Sequence, residues 1–443
     1  MVSGIISSEE MNVVDENCEY LGVRRLMMME NAGAAVAKHV ASFFDNIEKR
    51  RILVLCGSGN NGGDGMVAAR HLACMGADVT VLLLAEPGKI RSEEARINYE
   101  SVKNMKTSIN FRVVDTVEKL MNHADVFDEA DAVVDAILGT GAKGGLSELF
   151  KTAVNFANNS KGVKIAVDIP TGLNPDTGEG ETYFQPELVV ALHRPKPVHE
   201  KIKEKTVVEK IGIPTETELL AGPGQLKLLL RKVGVAKVLS GRLAYVFGES
   251  GPDEKVRDLL TSLKGFTVFC NINMLVENPE VRYSFSSSRA VLVSGDVNPS
   301  SIKPFLPRSQ PVVLTTPSAS MVNPIYVLWS DKPLLESFRT NHQSYIKDVD
   351  ELCRKLAAPV YVVGEIDIMS NGVKTWCNWL GKPVKQSYFG YVAALVAWFV
   401  ASGADAILSM ASTSYLIRYA DAYQLESPST LGEFVLKTIE KLA

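Results

Sequence analysis

A chain of 443 residues exceeds what one hydrophobic core sustains (~250–300 residues), so two domains are expected. With 46% hydrophobic and 22% charged residues the composition excludes a disordered or fibrous chain. A net charge of −4, without a dense Lys/Arg run, argues against nucleic acid as a partner and leaves small molecules.

In chain order, the stretch from Glu9 to Val40 reads as two helices, with Met27, Met28 and Met29 filling apolar gaps. Short β-branched runs then alternate with helical patterns: RRILVLC, a helix through Met66–Met75, ADVTVLLL, a helix, FRVVD, DAVVDAIL, a helix around Glu148–Asn158, and KIAVDIPT. ELVVALHRP and TVVEKIGIP complete the block. This alternation predicts a mostly parallel sheet covered on both faces, an α/β three-layer αβα sandwich of Rossmann-like type. From Pro214 to Gly224 periodicity is lost and Pro and Gly gather, which places the break near residues 215–224. The second half alternates again through RLAYVFG, FTVFCNI, RAVLVSG, QPVVLTT, IYVLWS and PVYVVGE, then closes in three helical patterns from Tyr391. It predicts a second α/β domain. The cysteines Cys18, Cys56, Cys74, Cys270, Cys353 and Cys377 lack C-x-x-C spacing and read as reduced core residues. The N-terminus lacks a basic segment followed by an apolar stretch, and no stretch reaches the ~20 apolar residues of a membrane span, so no membrane and a cytoplasmic location are expected.

The strand RRILVLC runs into Gly57-Ser58-Gly59-Asn60-Asn61-Gly62-Gly63-Asp64-Gly65, with a helix predicted to open at Met66. Glycines let backbone approach a phosphate, and unpaired N–H groups at a helix start carry partial positive charge. Gly57, Gly59 and Gly62 satisfy G-x-G-x-x-G, and Glu86 ends the next strand where a ribose-binding acid would sit, so a dinucleotide-dependent oxidoreductase is one reading. No G-K-[ST] follows, which disfavours a nucleoside-triphosphate loop. A plain tight turn has no use for Asn60, Asn61 and Asp64 among the glycines; a ligand or cation site has.

These residues resemble the N-terminal, epimerase domain of the NAD(P)H-hydrate repair enzymes. LMMMENAGAAVA is similar to that family's opening helix, VLCGSGNNGGDGMVAARHL to its signature loop, DAVVDAILGTGAKGGL and AVDIPTGLNPDTGEG to its second and third motifs, and RPKP to its last. The resemblance spans roughly residues 9–215, and residues 1–218 are assigned to this domain. It implies interconversion of the R and S forms of hydrated NADH or NADPH, whose added hydroxyl sits on C6. The hydroxyl must leave, or the ring open, and return on the other face, which calls for a proton-exchanging carboxylate or amine and a site tolerant of a transient cationic ring. Asp168, at a strand end, matches the family's substrate-contacting aspartate and is the expected catalytic carboxylate. By the same resemblance Asn60, Asn61, Gly62, Gly63 and Asp64 contact the dinucleotide, and Gly139, Thr140, Gly141, Ala142, Lys143, Gly144 and Gly145 form a second loop around it. Asn61, Asp135 and Thr171 match positions that hold a potassium ion, a hard cation suited to such oxygens. Asp135 reads otherwise as a local cap or pair. Lys196, after a proline, reads equally as a solvated lysine or as a catalytic or phosphate-contacting group. His193 and His199 give little ground for a metal site. A homo-oligomer is expected.

Residues 225–443 resemble, by length and strand order, the ribokinase-like dehydratase domain that in many members follows the epimerase and consumes ADP or ATP. Its motifs are missing. Lys385-Gln-Ser387-Tyr388-Phe389-Gly390-Tyr391 stands for a glycine-serine-glycine-aspartate turn, Thr315 and Thr316 stand where acids are expected, and YVLWSDKPLLESF replaces a third motif. The expectation is a degenerate, catalytically silent domain, with an active ADP/ATP-dependent dehydratase as the alternative and Asp331, Glu365 and Asp367 as the acids available to substitute.

Overall fold

Strand β1 (Arg51–Cys56) is buried at every position but its first, as befits a central strand covered on both faces. The computed structural model describes residues 4–141, 145–307, 309–316, 321–331, 335–421 and 427–442. The chain divides into two units, Met1–Thr215 and Glu216–Ala443. In the first, β1 joins β2 (Asp78–Leu83), β3 (Ile109–Val113), β4 (Ala132–Ala136), β5 (Val163–Val167), β6 (Leu188–Leu192) and β7 (Thr206–Glu209) in the order β3-β2-β1-β4-β5-β6-β7. Every pairing is parallel. Strand order reverses between β1 and β4, and beyond the carboxyl ends of those strands a doubly wound sheet leaves a crevice for ligands.

Three helices supply side chains to that crevice, α1 (Ser8–Tyr20), α2 (Arg25–Ala41) and α3 (Asn60–Cys74), and α4 (Glu93–Asn104) starts just after its lining residues Arg91 and Ser92. Helix α1 opens with a capping box in which the Ser7 hydroxyl accepts the Glu10 N–H at 3.2 Å and the Glu10 carboxylate accepts the Ser7 N–H at 3.1 Å. The Ser8 N–H donates to Asp176 Oδ1 at 2.9 Å, tying α1 to the chain beyond β5. Met11 and Val14 pack with Ile6, and Cys18 enters the main core. Of the three consecutive methionines, Met28 and Met29 are buried but Met27 is 55% exposed, so the expectation that all three fill gaps is corrected. One helical turn cannot bury three consecutive side chains.

Helix α3 begins at Asn60, six residues before the predicted start at Met66. Its glycines are packing residues. A Cβ on Gly62 would lie 2.0 Å from the Gly57 carbonyl oxygen, and one on Gly65 2.4 Å from Ala136 Cβ. The glycine run is therefore a short turn, Gly57–Gly59, followed by a helix pressed against the sheet.

The second unit carries β8 (Arg242–Val246), β9 (Phe266–Cys270), β10 (Ala290–Val293), β11 (Val312–Leu314), β12 (Pro324–Trp329), β13 (Val360–Val363), β14 (Asp367–Ser370) and β15 (Thr375–Asn378). Their order is β15-β14-β13-β12-β11-β10-β8-β9. The antiparallel β14–β15 hairpin was not predicted; its four-residue strands are too short for a period-2 signal. Residues 216–224, which read as a break, are structured: Leu220 bridges to Cys377, and the Ala221 N–H donates to the Cys377 carbonyl at 2.7 Å. All six cysteines are unpaired, and all but Cys74 are buried.

Candidate active site

A cavity of about 550 Å³ opens beyond the carboxyl ends of β1, β4, β5 and β6. The turn after β1 and the start of α3 supply Ser58, Gly59, Asn60, Asn61 and Asp64; the segment after β4 supplies Gly139, Thr140 and Gly141; Asp168 and Lys196 form the floor. Thus Asn60, Asn61, Asp64, Gly139, Thr140, Gly141, Asp168 and Lys196 come together as expected from the sequence. Gly62 and Gly63 are buried within α3 and do not line the cavity, because their place is taken up by helix packing. Gly145 is exposed and outside the lining, and Ala142, Lys143 and Gly144 lie outside the described residues.

Asp168 follows β5 with φ +60°, a left-handed conformation that costs a residue with a Cβ and is tolerated where the surroundings enforce it. The enforcement is visible. The Asp168 N–H donates to Val190 O at 2.9 Å, and His199 Nε2 lies 2.6 Å from the Asp168 carbonyl. His199 Nδ1 accepts the Lys196 N–H at 2.9 Å, and burial lowers its pKa, so the ring is neutral with its hydrogen on Nε2. One histidine thereby brackets both members of the central ion pair, a role its sequence context did not disclose. Lys196, 1% exposed, donates from Nζ to Asp168 Oδ1 at 2.5 Å and to Leu192 O at 2.8 Å. It is not a solvated lysine. Asp168 Oδ1 also accepts the Leu192 N–H at 3.0 Å, while Oδ2 takes no donor among the described residues. A buried ion pair with one open carboxylate oxygen on a cavity can meet a ligand without breaking its own bonds.

Behind this floor, Asp135 is fully buried. Its carboxylate accepts from Thr171 N at 2.7 Å, Thr171 Oγ1 at 2.7 Å and Ile137 N at 3.2 Å. The Leu138 N–H donates to Thr171 Oγ1 at 3.0 Å, and Asn61 Nδ2 donates to Leu138 O at 3.0 Å, so Asn61, Asp135 and Thr171 converge around one backbone turn. Burial pushes the Asp135 carboxyl up to about 6, and the hydrogen bonds only partly offset it. Every hydrogen-bond partner of this acid is neutral. Asp135, Asn61 and Thr171 are the oxygen-bearing side chains here that could hold a cation.

Asp15 and Arg25 also line the cavity, and sequence reasoning missed both. A signal existed for Asp15: Met11, Val14, Asp15 and Cys18 stand at i, i+3, i+4 and i+7, which puts a carboxylate in the buried stripe of α1. Glu86, by contrast, is exposed and bonds Lys89 at 2.9 Å outside the cavity, so the oxidoreductase reading loses its ribose acid.

In the second unit Asp367 is fully buried, and its Oδ2 accepts from Arg418 Nε at 2.8 Å, Ser414 Oγ at 2.6 Å and Tyr361 Oη at 3.0 Å. It has no capacity left to act on a substrate. Asp331 accepts from the Trp329 indole at 3.1 Å, and the Glu365 backbone carbonyl accepts from Arg418 at 2.8 Å. A cavity of about 300 Å³ lies among Lys255, Lys385, Ser387, Tyr388, Tyr391 and Leu431, and no acid is among the described residues that line it.

A doubly wound parallel sheet with a charged crevice of about 550 Å³ at its switch point defines a Rossmann-type ligand-binding α/β protein. Residues 25–198 match the model described as YjeF-related protein N-terminus. The NAD(P)H-hydrate epimerase of Nitrosopumilus maritimus is 38% identical over 218 residues, which cover 48% of this chain and 97% of that protein. The chain belongs to the NAD(P)H-hydrate epimerase family. The bifunctional NAD(P)H-hydrate repair enzyme of Pyrobaculum aerophilum is 44% identical over 251 residues, 55% of this chain. The chain spans about half the length of that relative, 49%. The structure of an ADP/ATP-dependent NAD(P)H-hydrate dehydratase from Bacillus subtilis aligns with 46% of the chain at 13% identity and a TM-score of 0.33, a likeness too slight to carry an argument. Among the described residues no helix is long and apolar enough to cross a membrane.

Proposed function

We propose that the first unit epimerises the R and S forms of hydrated NADH or NADPH, and that the second unit has no catalytic activity of its own. The observation that carries the first part is the Asp168–Lys196 pair, whose open carboxylate oxygen faces the same cavity as the N-terminal turn of α3. The first N–H groups of α3 lack intrahelical partners and suit the pyrophosphate, while Asp168 suits a ring that becomes cationic when the C6 hydroxyl departs. Asn61, Asp135 and Thr171 would hold a potassium ion, which would supply positive charge behind the dinucleotide loop. Incubating the full chain with pure S or pure R hydrated NADH and following the isomer ratio by chromatography tests the reading. Equilibration no faster than the uncatalysed control defeats it.

The second part rests on Asp367, the one fully buried acid among the described residues of the second unit, being saturated by Arg418, Ser414 and Tyr361. No NADH is expected to form from the S hydrate with ADP or ATP added. Nucleotide-dependent NADH formation, read at its absorbance band, would restore the bifunctional reading.

A further inference from the structure

The Asp168–Lys196 pair leaves a chemical question open. Departure of hydroxide from C6 needs a proton, and a carboxylate already engaged by an ammonium is placed to accept rather than to give. Two other carboxylates face the cavity. Asp64, on the first turns of α3, is 8% exposed, and Asp15 projects from the apolar stripe of α1. Neither side chain has a hydrogen-bond or ion-pair partner among the described residues. Asp64 is buried and Asp15 half-buried; unpartnered acids so placed on a cavity are costly in the free protein and persist where a ligand meets them.

We propose that Asp15 is a catalytic residue of the epimerisation, the proton donor to the departing hydroxyl, drawing on a proton that it and Asp64 hold in common. This rests on the epimerase reading above. The Asp15 carboxyl gives its proton to the C6 hydroxyl as the C6–O bond breaks. The bond's electron pair leaves with oxygen as water, the ring nitrogen's lone pair forms the C6–N double bond, and Asp15 becomes a carboxylate. Water then adds to the opposite face of C6, the nitrogen regains its lone pair, and a proton returns to Asp15. Nothing is oxidised or reduced. Asp168, held by Lys196, is the fixed negative charge beside the cationic ring.

The groups around Asp15 keep a minor protonated fraction of its carboxyl available near neutral pH, far more than an ordinary aspartate holds. Burial raises its pKa to about 6, with Asp168 and Glu16 adding to the rise and Arg25 on α2 and Lys196 opposing it. Burial raises Asp64 well above its ordinary value, and Asp168 and Asp15 raise it further, against Lys196. Asp15 and Asp64 face one cavity whose cations are Lys196 and the half-buried Arg25, and the two acids titrate as a coupled pair, so a proton held by one is available to the other.

Steady-state epimerisation of hydrated NADH by the full chain and by Asp15→Asn provides the test. The expected result is a loss in kcat of about 100-fold, the usual size of a general-acid contribution, with KM changed by less than about threefold. The alkaline fall of the wild-type profile should be absent in Asp15→Asn and present in Asp15→Glu. An active wild type whose Asp15→Asn variant keeps kcat within about threefold and the same alkaline fall overturns the proposal while leaving the epimerase reading intact. An inactive wild type overturns both. Carboxyl-carbon NMR titration of the wild type needs no variant: an Asp15 midpoint near 6 supports the shared proton, and one near the ordinary aspartate value overturns it.

Discussion

Each unit buries one aspartate against one cation, and the two pairs have opposite consequences. Asp168 and Lys196 meet at 2.5 Å, Asp367 and Arg418 at 2.8 Å, and all four side chains are at most one-tenth exposed. The difference lies in what remains. Asp168 keeps an oxygen open to a cavity, whereas Asp367 spends both on Arg418, Ser414, Tyr361 and the Gly364 N–H. A buried ion pair is therefore a site only where the fold leaves a vacant acceptor and room beside it; otherwise it is a fastener.

The largest expected effect tests the open pair. Asp168→Asn should slow epimerisation by about 10³-fold or more, measured as isomer interconversion. The closed pair should behave differently. Asp367→Asn strands Arg418 and should cost about 3–5 kcal/mol in denaturant unfolding while the specific epimerase activity of folded protein stays unchanged. Tryptophan fluorescence reports this selectively, because Trp329, Trp376, Trp379 and Trp398, the only four, all lie in the second unit. Loss of epimerisation in Asp367→Asn at full folding would break the contrast.

A smaller effect concerns the cation. Replacing potassium with a large organic cation should slow epimerisation about tenfold in the wild type and have no effect in Asp135→Asn, whose rate should already be at the lower level. The smallest effect sets the strain of the open site against the fastening of the closed one. A carboxyl whose folded pKa is raised contributes stability below its unfolded value near 3.8 and loses it as pH rises through the folded value, about 6 for Asp15. Asp15→Asn should thus unfold about 2–4 °C higher than wild type at pH 8 and at the same temperature at pH 4. A lower unfolding temperature at pH 8 would make Asp15 a structural residue.

Much of the first unit was legible because its signals are local. Alternating β-branched runs determined the sheet and its parallel character, and a turn of glycines and amides after RRILVLC marked one wall of the cavity. The motif residues Asn60, Asn61, Asp64, Gly139, Asp168 and Lys196 pointed to one site without saying how they meet. The start of α3 was misplaced because glycine propensity argues against helix, and only contact with Gly57 and Ala136 shows why glycine is needed there. The roles of His199 and Asp367 were decided by tertiary structure alone, and for Asp15 the helical spacing placed a carboxylate on the apolar stripe of α1 without showing what it faces. Each depends on a partner, or on the lack of one, far away in sequence: a carboxylate's chemistry is set by desolvation and by the donors around it, and no local pattern encodes either.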